Sequence, residues 1–129
     1  MDLADIRRKA QAARQFDHAI GVAGFTLRVP TKLESSIAWS QSVAQSRQGG
    51  GEHHLRWHRE LLTLAVVGWS GVMVRDVLPT CDVNEALVLE PGAAELLFDA
   101  QPAWEEQLLT ALLEHLAKRS AVEDTAEKN

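Results

Sequence analysis

Residues 61–79, Leu-Leu-Thr-Leu-Ala-Val-Val-Gly-Trp-Ser-Gly-Val-Met-Val-Arg-Asp-Val-Leu-Pro, constrain the fold more than any other stretch. From Leu61 to Val67 every residue but Thr63 is apolar, so a helix through this run has no side to give to solvent and belongs inside the protein. Gly68 and Gly71 bracket Trp69 and Ser70, which ends such a helix and turns the chain. The large ring at that break pins two elements together, because glycine allows backbones to approach and tryptophan carries a large apolar surface. The expected fold is therefore mainly α: a small helical domain around one buried central helix, from about His53 to Gly68. Its core would hold Leu62, Val66, Trp69 and Leu113.

A chain of 129 residues and ordinary composition, 46% hydrophobic and 24% charged, makes one domain with one core. That domain is expected over residues 1–120, with 1–20 loosely docked and a polar, disordered tail at 121–129. The apolar runs fall far short of the roughly 18 residues that cross a bilayer, so no membrane role is expected. The N-terminus places acids before its bases and has no apolar stretch after them, unlike a secretory signal. The single cysteine, Cys81, has no internal partner for a disulfide, which fits a cytoplasmic location.

The net charge of −5 is unevenly placed. Residues 1–60 carry nine Lys/Arg against six Asp/Glu, or +3, while residues 61–129 carry four against twelve, or −8. Such polarity allows copies to associate head to tail, or a mostly acidic protein to hold a basic partner. It argues against nucleic acid, which calls for a basic footprint.

Around the central helix the other segments read as amphipathic pieces. Asp2 to about Ala19 reads as a helix with a thin apolar stripe of Leu3, Ile6, Ala10 and Ala13, and a basic cluster at Arg7, Arg8, Lys9 and Arg14. Gly21 and Gly24 stop it, and residues 25–29 alternate as a strand that ends at Pro30. Thr31 and Glu34 have the spacing of a capping box, opening a helix to about Arg47 with Leu33, Ile37 and Ala44 on one side. The glycines of residues 48–52 read as a hinge. Residues 72–78 read as a second short strand or the edge of a helix, and residues 79–84 as a loop. A short helix begins near Pro91 and runs to Ala100. The last begins at Pro102 and carries Trp104, Leu108, Leu109, Leu112, Leu113 and Leu116 at helical spacing.

Few residues are arranged for chemistry. His54 and His58 stand i, i+4 on a helix, the spacing of two zinc ligands, and are the metal candidates. The residue after His54 is Leu55 where a zinc protease needs glutamate, and no third ligand follows in sequence, so no metal and no cofactor are expected. In Gly68-Trp-Ser-Gly71 the second glycine follows Ser70 directly, which is not the esterase pattern. Residues 49–51 lack the lysine and hydroxyl of a phosphate loop. An enzyme is not expected. A binding protein is, because four tryptophans stand in a chain without tyrosine. Trp39 and Trp57, the latter beside Arg56 and Arg59, have the composition of interface anchors. With Trp104, Leu108 and Leu112 they are the candidate partner-binding residues.

The order of segments between Leu61 and Lys118 resembles the tail assembly chaperones of long-tailed, lambda-like bacteriophages. The features that carry the resemblance are an apolar helix running into Gly-Trp-Ser-Gly-Val, an acidic loop, Leu-x-Leu-Glu-Pro-Gly-Ala-Ala-Glu-Leu-Leu, Pro-Ala-Trp and a last amphipathic helix. The resemblance implies a non-enzymatic assembly factor that binds the tape-measure protein, keeps it soluble and helps recruit the major tail protein. It would act in the host cytoplasm, be absent from the virion and could form a homo-oligomer. It also implies the shorter product of a frameshifted gene, and the final Glu-Lys-Asn can be encoded by a run containing the slippery heptamer A-AAA-AAC. The alternatives are another phage morphogenesis or head–tail connector protein, or a small regulatory binding module.

Overall fold

The computed structural model describes the backbone of residues 1–46 and 52–128, and the side chains of residues 1–46 and 53–119. Among the described residues the chain forms six helices and one three-stranded antiparallel sheet, ordered β1-β2-β3. Helix thus dominates, as expected, but the fold is mixed rather than purely helical.

Helix α1 (Leu3–Ala12) is capped by the Asp2 carboxylate, which accepts from the Asp5 amide at 2.9 Å, and it buries none of its side chains. It stops well short of Ala19. Strand β1 (Gln15–Ile20) follows, where a continuation of the helix was expected, and pairs with β2 (Ala23–Arg28) from Gln15↔Arg28 to Ile20↔Ala23. Phe16, His18 and Ile20 are partly buried while Gln15, Asp17 and Ala19 are exposed, a period of two that a strand satisfies and a helix does not. Gly21, at φ +59°, is the first residue of the two-residue turn, as a type II′ hairpin requires. The expected strand at 25–29 is present as β2, with Ala23, Phe25 and Leu27 facing the core.

Helix α2 (Lys32–Gln45) begins with the expected capping box: the Glu34 amide donates to Thr31 Oγ1 and the Thr31 amide to Glu34 Oε1, both at 3.1 Å. Its inward side is not the expected one. Ala38 and Ser42 are buried, whereas Leu33, Ile37 and Ala44 face solvent. Small residues one turn apart let α2 lie close to α3 (Glu52–Ala65), and Ser42 turns its hydroxyl onto the Ala38 carbonyl at 2.7 Å. The hinge expected at residues 48–52 lies outside the described residues, apart from Glu52, which opens α3.

The central helix ends three residues earlier than expected. β3 (Val66–Ser70) takes up the Gly-Trp-Ser segment as extended chain paired with β2, with Phe25↔Trp69 and Thr26↔Gly68 in register. The two consecutive β-branched valines favour this strand, and β2 would otherwise present an open edge. The chain turns at Gly71 instead, where φ is +71° and an added Cβ would lie 2.3 Å from the Val22 carbonyl oxygen. Leu61, Leu62, Ala65 and Val66 are buried, but Leu64 and Val67 are not, so the run is not enclosed on all sides.

Residues 72–78 form neither a regular strand nor part of a long helix. Met73 bridges to Ala86, and α4 (Val74–Val77) is a single turn whose Asp76 carboxylate accepts from the Met73 amide at 2.7 Å. α5 (Ala93–Ala100) starts after Gly92, so Pro91 precedes the helix rather than opening it. α6 (Pro102–Lys128) does open on its proline and continues past Ser120, where a disordered tail was expected; Ala, Glu and Lys in that segment all favour helix. The core joins the inner sheet face to α3, α5 and α6. Phe25 sits edge-on to Trp69 and Trp104 at 6.2 and 6.0 Å, and Phe16 stacks on His115 at 3.8 Å.

Candidate protein-binding groove

Because the small residues of α2 face inward, its larger ones are left outside. Ile37 is 49% exposed, and Leu64 on α3, 42% exposed, lines the same groove. The groove has a volume of about 530 Å³, and Ala38 is also part of its wall. Leu33, one turn before Ile37 on the same side of α2, is exposed too.

The groove's charged residues are unequal. Glu34, Glu60 and Glu95 line it against one cation, Arg59. Arg59 is taken up elsewhere: it pairs with Glu105 through two nitrogens and donates to Asp99 Oδ1 at 2.8 Å. Glu105, then Asp99, holds its guanidinium charged more firmly than usual, against a cost from partial burial. Glu34 is held by Arg28 through two bonds of 2.7 Å, and Glu60 Oε2 lies 3.4 Å from Ser42 Oγ, whose proton is directed to the Ala38 carbonyl. An apolar trough with acidic walls results.

Beside the groove, Trp39, His53, His54, Trp57 and His58 form an aromatic cluster between α2 and α3. Trp39 meets Trp57 edge-on at 5.0 Å and lies 5.2 and 5.3 Å from His53 and His54. His53 and His54 are 4.3 Å apart, and Trp57 lies 5.1 Å from His58. Burial, and then the charge of His54, lowers the His58 pKa. Among the described residues no three His, Cys, Asp or Glu side chains come together in a way that could hold a metal. The i, i+4 histidines pack against tryptophan instead.

The five candidate binding residues divide. Trp39 is 36% exposed and accessible. Trp57 is partly buried and packs on the core, with its indole nitrogen buried and lacking a hydrogen-bond partner among the described residues. Trp104 packs on Phe25, and Leu108 and Leu112 are fully buried, so α6 spends this stripe on the core and not on a partner. Of the expected core, Leu62 and Val66 are buried, Leu113 is half-buried, and Trp69 is partly buried with its indole donating to the Leu87 carbonyl at 2.8 Å. Ile37 and Leu64 went unseen as surface residues. The available signal was the Ala38/Ser42 pair, since small residues four apart mark the side of a helix that packs closely. Among the described residues no helix is long and apolar enough to cross a membrane.

No family model, curated protein or solved structure matches this chain.

Proposed function

We propose that this protein is a phage tail assembly chaperone that holds helical segments of a tape-measure protein in the groove between α2 and α3. The groove carries the proposal. It offers half-exposed Ile37 and Leu64 to an apolar stripe, and Glu60 and Glu95 to basic residues flanking that stripe. A long tape-measure helix with one apolar face aggregates unless that face is covered, and a groove of this kind covers it by helix-in-groove docking. The resemblance of residues 61–118 to the phage chaperones supports the same function, and recruitment of the major tail protein and action in the host cytoplasm belong to the proposal with it.

The test is co-expression with a tape-measure protein. Wild-type protein is expected to keep the tape-measure protein soluble and to co-purify with it. Ile37→Asp and Leu64→Asp, at half-exposed positions, should lower capture at least tenfold while leaving the circular dichroism spectrum unchanged. Undiminished capture by both variants overturns the proposal.

A further inference from the structure

Helix α1 has the opposite character to the groove. It is ten residues long and buries no side chain, and an isolated helix of that length is marginal in water. Leu3 is 62% and Ile6 49% exposed, with Ala10 continuing the stripe, while Arg7, Arg8 and Lys9 crowd the following turn. We infer that α1 docks, by this apolar stripe, into the α2–α3 groove of a second copy of the chain.

Charge and length both fit. The basic residues of α1 meet walls carrying Glu60 and Glu95, and α1 is about 15 Å long against about 21 Å for each of α2 and α3. The occupant is a second copy because α1 has no slack to reach its own groove. Only Ala13 and Arg14 separate it from β1, and Arg14 is fastened to the next strand end. Its guanidinium donates to the Val29 and Pro30 carbonyls at 2.9 and 2.7 Å, and its own carbonyl accepts from Val29 N at 2.9 Å. In its own chain α1 stands beyond the Glu34 end, with an open cleft between Arg7, Ala10 and Val67. The contact uses different surfaces on the two copies, so it propagates head to tail unless the rotation closes a ring. Resting on the proposed use of the groove, the inference adds that α1 is a placeholder that a client helix displaces.

Sedimentation of the full chain over a concentration series, at low and high salt, tests this. Wild-type protein should associate with a dissociation constant on the order of 10–100 µM, weakening with salt, as small charged interfaces do. The double variant Leu3→Asp/Ile6→Asp and the single variant Leu64→Asp should each be monomeric. An equimolar mixture of the two should form a dimer and nothing larger, since one intact α1 and one intact groove remain. Arg7→Glu/Lys9→Glu should also weaken association, and Glu60→Lys/Glu95→Lys should restore it when mixed in. Wild-type protein that stays monomeric to about 1 mM at low salt, a mixture that does not dimerise, or an α1 variant that associates like wild type overturns the inference. Capture of the tape-measure protein separates the two proposals. If wild type is monomeric but Leu64→Asp loses capture, only self-association fails; if wild type associates but Leu64→Asp still captures, only the client function fails.

Discussion

Glu34 serves two partners at once. Its carboxylate closes the α2 capping box with the Thr31 amide and accepts both terminal nitrogens of Arg28. The Arg28 hydrogen bonds, ahead of the opposing effect of burial and the help of Thr31, lower its pKa to about 2. A carboxyl with a depressed folded-state pKa contributes stability in full above its ordinary value near 4.5, and that contribution is lost as pH falls toward 2. Glu34→Gln should therefore cost about 1 kcal/mol at neutral pH and flatten this part of the acid limb in urea titrations. Trp57 and Trp69 make a second contrast. Trp69 anchors the loop through Leu87, whereas Trp57 hides its N–H without an acceptor among the described residues. Trp57→Ala should cost about 2–3 kcal/mol by thermal or urea unfolding, through lost packing. Trp57→Phe should cost less than about 1 kcal/mol, since it removes a buried unsatisfied donor along with part of the ring. The capping box was legible in the sequence because its two residues are three apart. The Arg28 clamp, the Trp57 environment and the Leu87 acceptor come from other segments, so no local pattern announced them.

Between β1 and β3 two glycines hold one corner from opposite sides. Gly21 makes the hairpin turn with open space around it, while Gly71 presses against the Val22 carbonyl of that same turn. Both need positive φ, but only Gly71 also needs the missing side chain. Gly21→Ala should cost about 1 kcal/mol and Gly71→Ala about 3 kcal/mol or more, measured by thermal unfolding. Strand β2 was legible because its alternation is clean. β1 was not, since the Phe16/His18/Ile20 alternation is interleaved with Asp17 and Ala19 directly after a good helix, and nothing local marks the changeover. β3 was missed for the converse reason: Val66 continues an apolar run that suits helix and strand alike, and pairing with β2 decided between them. On α2 the boundaries were legible and the facing was not. Side-chain size favours Leu33 and Ile37 as the inward residues, while close approach to α3 selects Ala38 and Ser42.

For the molecule as a whole, the charge separates in space rather than by halves of the chain: α1 is a basic helix, while the groove draws Glu34 and Glu60 from the basic half and Glu95 from the acidic one. If α1 docks between copies, its amides over Leu3–Ala12 should gain protection from hydrogen exchange as protein concentration rises, while those of β2 should not change. What the sequence by itself determined was whatever depends on neighbours along the chain: the mostly helical class, the Thr31–Glu34 cap, the Pro102 helix start, the strand through Phe25 and the uneven charge. What only the tertiary structure decided was where apolar side chains go once elements compete for the same core. Burial is settled by total area removed from water, so Leu108 and Leu112 went under the sheet while Ile37 and Leu64 stayed out, though all four are equally hydrophobic on paper.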